Sequence, residues 1–176
     1  SGRFAVVHNG IIENYMPLRN RLIEQGHEFT SETDTEVAAH LIEDYYDGDL
    51  AGAVCRAAAE LEGSFALVVV AVDKPDEIVA ARRHSPLVIG IGKGESFLAS
   101  DVSAFLKHTR HVIYVEDDNV ATITREGVSV CDLKGNPVPV QVQIVDWDAA
   151  MAERGGYEHF MLKEIHEQPE TITDAF

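Results

Sequence analysis

Three places in the 176-residue sequence bring together side chains whose types could do chemistry. The first is His8-Asn9-Gly10, an amide side chain beside a residue whose backbone can be approached closely. Held rigidly, an Asn carboxamide and a neighbouring N–H can both point at a developing oxyanion. The plainer reading is a tight turn, because Asn-Gly between apolar segments is a strong hairpin signal. The second is Asp34, a first-turn residue in a helix that Thr33 and Glu36 would open as a capping box. Its carboxylate complements the helix dipole there, and could equally accept hydrogen bonds from a substrate ammonium group. The third, Gly90-Ile91-Gly92-Lys93-Gly94, superficially looks like a phosphate-binding loop. It leads into strand-like Phe97-Leu98-Ala99 instead of opening a helix, so it reads as a turn.

Other chemistries find little support. His159 and His166 share a helix face, but His-Glu-x-x-His spacing and paired cysteines are missing from the sequence, so no metal site and no cofactor are expected. There is no Gly-x-Ser-x-Gly elbow. Cys55 falls on the apolar side of a helix and Cys131 in a strand, which makes them core thiols and not nucleophiles. Two isolated cysteines form no disulfide framework and fit a reducing, cytoplasmic compartment. Fourteen Lys and Arg against thirty Asp and Glu give a net charge of −16, which repels nucleic acid and anionic membrane surfaces. The longest apolar run, Phe65 to Val72, is too short to span a bilayer.

The elements that must position these residues divide in two. Helical spacing runs from Pro17 to Gly26, from Thr33 to Tyr45 and from Asp49 to Gly63, after two short strands, Phe4–His8 and Ile11–Ile12, around the Asn-Gly turn. From Ser64 strands take over: Phe65–Val72, Glu77–Arg82, Leu87–Ile91, Phe97–Ala99, His111–Val115, Val120–Thr124, Val128–Cys131 and a last one from Val138 to Ile144. A short helix is predicted near Val102–Lys107, and another after Trp147 that Pro169 should break. Helices followed by antiparallel strands predict a layered α+β domain. The opening at Ser1 and the close at Phe176 suggest a piece of a longer protein.

Read together, His8-Asn9-Gly10-Ile11-Ile12-Glu13-Asn14, Ser31-Glu32-Thr33-Asp34-Thr35-Glu36-Val37 and Glu62-Gly63-Ser64-Phe65-Ala66 resemble motifs of the class II glutamine amidotransferases. Ser85 to Gly90 and Phe97 to Asp101 continue the likeness, which covers nearly the whole chain. The resemblance implies an α+β, four-layer αββα sandwich of the N-terminal-nucleophile hydrolase type, here incomplete at its N-terminus. It implies a glutaminase in which an N-terminal cysteine attacks the side-chain amide of L-glutamine and the chain's α-amino group acts as base. Asn9 and Gly10 match the family's oxyanion hole, through the amide and the backbone N–H respectively. Gly10 and Asp34 match glutamine-binding positions, with Asp34 holding the α-amino group. His159 to Pro169 is similar to the join, within that family, between a glutaminase domain and a downstream isomerase domain that uses fructose 6-phosphate. A homodimeric parent making glucosamine 6-phosphate is thereby implied, with residues 1–147 as the glutaminase domain and 148–176 as linker and start of the connection. The family's cysteine and the arginine that grips the α-carboxylate have no counterpart, so these 176 residues alone are expected to be inactive. Another class II amidotransferase, or a non-catalytic glutamine-binding or dimerisation module, remains as an alternative.

Overall fold

Apolar residues three and four apart make the first third of the chain helical. The computed structural model describes residues 2–146 and 155–174. Helix α1 (Tyr15–Glu24) buries Leu18 and Leu22. It ends where Gly26 takes a positive φ of 96°, with Gly26 N–H donating to the Ile23 carbonyl and His27 N–H to that of Leu22. These two bonds close a Schellman end and satisfy carbonyls the helix leaves open. Helix α2 (Asp34–Tyr45) starts with Thr33 Oγ1 accepting from Glu36 N–H at 3.4 Å, and buries Val37, Ala38, His40, Leu41 and Ile42. Helix α3 (Leu50–Glu60) is capped by Asp49, which accepts from Gly52 N–H at 3.1 Å. All three helices lie where the spacing predicts them.

The strands form two antiparallel sheets. The larger contains β1 (Phe4–Ile12), β2 (Gly63–Ala71), β3 (Lys74–Arg83), β7 (Asn119–Thr124), β8 (Gly127–Asp132) and β9 (Pro137–Val138), in the order β1-β2-β3-β7-β8-β9. The smaller has the order β10-β6-β4-β5, from β4 (Val88–Ile91), β5 (Ser96–Ala99), β6 (His111–Tyr114) and β10 (Gln143–Ile144). Alternation of side chains across β2 explains the layering. Phe65, Leu67, Val69 and Ala71 face the helices together with Leu41, Val54 and Leu61. Ala66 and Val68 face the smaller sheet and meet Ile89, Ile113 and Val115. Helix, sheet and second sheet thus stack in the expected order. On the outer face of the smaller sheet, Phe105 packs on Val88 and Val112 beside a 3-10 turn at Val102–Ala104, where the sequence predicts a longer helix.

Three further expectations need correction. Asn9-Gly10 is not a hairpin turn: β1 runs unbroken from Phe4 to Ile12 and pairs with β2 along its whole length, from Phe4↔Ala71 to Ile12↔Gly63. A partner strand distant in sequence outweighs the local turn preference. The single strand predicted from Val138 to Ile144 is two short strands, β9 and β10, which join different sheets. Helix α4 (Phe160–Asp174) continues through Pro169. Proline's fixed φ is itself helical, so its cost is one missing bond to the Ile165 carbonyl and a kink, not an obligatory end. The domain edge expected at Trp147 lies outside the described residues.

The core contact of α2 on the larger sheet is expected to dominate stability. Leu41 is fully buried, and Leu41→Ala should lower the unfolding free energy by about 2–5 kcal/mol in urea titration. A loss under about 1 kcal/mol would mean that α2 is not anchored as described.

Candidate functional site

Among the described residues, strand β1 is the edge of its sheet, so half of its peptide groups have no strand partner there. Which half is set by two bonds at its ends. Val72 N–H donates to the Arg3 carbonyl and Glu13 N–H to that of Glu62, each at 2.9 Å. In an antiparallel ladder this parity sends the peptide groups of odd-numbered residues towards β2 and those of His8, Gly10 and Ile12 to the open edge. The N–H of Gly10 is therefore available at that edge.

Gly10 is required there by its backbone. Its φ is 129°, and a Cβ would overlap the Ser64 carbonyl oxygen and crowd Ser85 Oγ. Ser64 and Ser85 hydroxyls bond each other at 2.9 Å directly behind it. Asn14 locks the strand's far end, donating to the Glu60 carbonyl at 2.8 Å and accepting from Glu62 N–H at 3.0 Å. Asn9 shares an exposed face with Val7 and Ile11, and no protein hydrogen bond holds its carboxamide among the described residues.

Asp34 comes to the same edge from α2. Its Oδ2 accepts the Ile12 N–H at 2.9 Å, which places the carboxylate two residues along the strand from Gly10, about 7 Å away in strand repeat. Thr35 Oγ1 donates to Asp34 Oδ1 at 3.5 Å and accepts from His8 Nδ1 at 3.0 Å. Burial pushes the His8 ring below its usual pKa against the pull of Asp34. A neutral ring donating from Nδ1 leaves Nε2 as a bare acceptor, and that atom is buried without a hydrogen-bond partner among the described residues. Sequence reasoning named Asn9, Gly10 and Asp34. It missed His8, Thr35, Ser64 and Ser85 as supports, although all four lie in or beside the motifs that carry the resemblance.

The loop entering α2 is held by Glu36. The predicted capping box forms only in part, because its carboxylate does not return to Thr33 N–H. Instead it accepts from Thr30 N–H and Oγ1 at 2.8 and 2.9 Å, and from Ser31 N–H and Oγ at 2.7 and 2.5 Å. Burial opposes its charge, yet the bonds from Ser31 and Thr30 prevail and hold its pKa at about 2.

The cysteines stand apart from this site. Cys55 on α3 and Cys131 on β8 place their sulfurs 3.8 Å from each other, and burial, reinforced by Cys131, pushes the Cys55 thiol up to about 12. As expected from sequence, Cys55 is a core thiol. A cavity of ≈ 730 Å³ lies elsewhere, beside β4 and β6, lined by Lys93, Lys107, His108 and Arg110 among others.

Residues 1–107 match the family described as the glutamine amidotransferase domain. The chain belongs to this family. It is 59% identical over 175 residues to glutamine–fructose-6-phosphate aminotransferase (isomerizing) of Symbiobacterium thermophilum, covering 99% of this chain and 29% of that protein. The Thermus thermophilus protein of the same name is 55% identical over 168 residues, 96% of this chain and 28% of its own length. The chain thus spans under a third of the length of these curated relatives. Among solved structures, it is similar to the glutamine phosphoribosylpyrophosphate amidotransferase from B. subtilis, with a TM-score of 0.66 and 28% identity over 76% of this chain and 30% of that one. A class-II glutamine aminotransferase domain protein from Silicibacter pomeroyi shares the fold at TM-score 0.54 and 19% identity, covering 76% and 67% of the two chains. As an α+β glutamine amidotransferase domain, the chain has the Gly10 N–H and the Asp34 carboxylate at the open edge of β1, with Asn9 on the adjoining exposed face.

Two measurements check this geometry. Gly10→Ala should separate β1 from β2 and lower stability by more than about 2 kcal/mol, whereas a change within about 0.5 kcal/mol would show that the close approach is not needed. Because the Glu36 pKa is lowered from 4.5 to about 2, its stabilisation is present above the upper value and lost as pH falls through the lower. Glu36→Gln should therefore unfold at a lower urea concentration at neutral pH and lose this group's share of the acid dependence in that window.

Proposed function

We propose that the chain forms the substrate-holding side of a glutaminase site, within a protein that passes the released ammonia to fructose 6-phosphate and yields glucosamine 6-phosphate and glutamate. One observation carries this reading: the Gly10 N–H faces the same open strand edge as Asp34, whose carboxylate is fixed there by Ile12 N–H. A glutamine laid along this edge would give its ammonium group to Asp34 and its side-chain carbonyl to Gly10.

In the reaction a thiolate adds to the amide carbon, and the carbonyl π electrons move onto oxygen. The Gly10 N–H and the Asn9 carboxamide donate to that oxyanion, Asn9 by rotation of its unconstrained side chain. The proton taken from the thiol passes to the amide nitrogen, so that collapse breaks the C–N bond, releases NH3 and leaves a γ-glutamyl thioester that water hydrolyses to glutamate. His8 and Thr35 hold Asp34 in place and do not touch the reacting atoms. Neither Cys55 nor Cys131 suits the nucleophile's part, since the former is buried with a raised pKa and both lie between α3 and β8. The attacking thiolate is assigned to an N-terminal cysteine outside the 176 residues. The names of the relatives favour fructose 6-phosphate as acceptor; an isomerase domain following α4 and a homodimer as the working form belong to the same proposal. No cofactor takes part.

The test is a kinetic comparison in the full-length protein. Asn9→Ala should lower kcat for glutamine hydrolysis about 10²–10³-fold with little change in KM. Asp34→Ala should act mainly by raising KM. The 176 residues alone should release no glutamate from glutamine. Unchanged kcat in Asn9→Ala, or glutamate release by the isolated chain, would overturn this assignment.

A further inference from the structure

The Schellman end of α1 delivers His27 to the side of α2 that carries His40 and Glu43. His27 and His40 approach through their Nδ1 atoms at 3.0 Å. Glu43 Oε2 lies 3.5 Å from His40 Nδ1 and 3.8 Å from His27 Nδ1. Three ligand-type atoms from two elements thus mark a triangle with edges of 3.0, 3.5 and 3.8 Å. A tetrahedral ion with arms of about 2.0–2.1 Å to N and O needs edges of about 3.3–3.4 Å. Each edge is within about 0.5 Å of that value, so side-chain adjustment alone would seat an ion.

The surroundings have the same character. The outer nitrogen of each ring looks towards a second carboxylate: His27 Nε2 is 3.8 Å from Asp44 Oδ1, and His40 Nε2 is 3.8 Å from Glu36 Oε1. Carboxylates behind metal-bound imidazoles orient the ring and raise its basicity. His40 Nε2 is buried and lacks a hydrogen-bond partner, a polar atom for which a short contraction towards Glu36 would supply one. Phe29 packs against the His40 ring at 4.5 Å between centroids and limits its rotation. Burial is the leading cause that lowers the His40 pKa, against the pull of Glu43 and Glu36. His40 is almost wholly buried, while His27 and Glu43 retain 16% and 26% side-chain exposure, so a fourth position opens to water.

We propose that His27, His40 and Glu43 bind one divalent transition-metal ion of the zinc class, with water as the fourth ligand, as a clasp between the end of α1 and the face of α2. The sequence gives little sign of it, because the two histidines are thirteen positions apart and on different elements. Where the ion is lacking, the same atoms share a proton in an imidazole–imidazole hydrogen bond.

The experiment titrates Zn2+ into the full chain after chelator treatment, by calorimetry, and repeats it with Co2+ to read its visible d–d bands. One Zn2+ per chain, tetrahedral Co2+ bands and a rise in Tm of roughly 5–10 °C at a hundredfold excess over Kd are expected. His27→Ala and Glu43→Gln, both partly exposed, should each weaken binding more than about 100-fold, with metal-free urea unfolding used to show that they remain folded. His108→Ala should bind as the parent does. Failure to saturate with Zn2+ at one per chain, or binding that persists in both variants, would overturn the proposal and leave the hydrogen-bonded histidine pair as the contact's only role.

Discussion

The bond from Ile12 N–H to Asp34 Oδ2 is the contact on which the site depends. It joins two kinds of incompleteness. An edge strand has N–H groups that no neighbouring strand accepts, and the start of a helix favours a negative charge. Asp34 answers both, because it is the first residue of α2 and its carboxylate reaches the last peptide of β1. The helix layer and the sheet edge are thereby fixed to one another at the place where substrate would lie. Thr33, Glu36, Thr35 and His8 can be understood as the surroundings that keep this one carboxylate oriented and partly shielded.

Much of this was legible in the sequence, for identifiable reasons. The helices were clear because Leu18 and Leu22, or Val37, Leu41 and Ile42, repeat at the helical period and carry local caps. Strands β2 to β8 were clear because apolar runs are separated by turn residues. Two of the failures depended on distant partners. Asn9-Gly10 has every local mark of a hairpin, and only the pairing with Ala66 and Phe65 makes it extended. The stretch from Val138 to Ile144 alternates like one strand, but its ends pair with β8 and β6 in different sheets.

The candidate site divides in the same way. Asn9, Gly10 and Asp34 are chemically conspicuous and sit in motifs. The supporting role of Ser64 and Ser85 is invisible without the fold, since it consists in lying behind a glycine from another strand. His27 and His40 show this more strongly. Nothing in their spacing suggests proximity; the turn at Gly26 and the packing of α1 on α2 produce it.

The pairing of β1 with β2 also bears on how the molecule assembles. The other neighbours in the larger sheet include β2 with β3 and β7 with β8, which are local hairpins, whereas residues 13–62 intervene between Ile12 and Gly63. Closing a loop of that size costs about 2 kcal/mol more chain entropy than closing a loop of about four residues. Docking of the strand that carries Asn9 and Gly10 therefore has the larger entropic cost, which α1, α2 and α3 lessen by shortening the intervening chain. The candidate site thus rests on a pairing between strands distant in sequence, so a domain in which only the hairpins had formed would hold part of the sheet but not this edge.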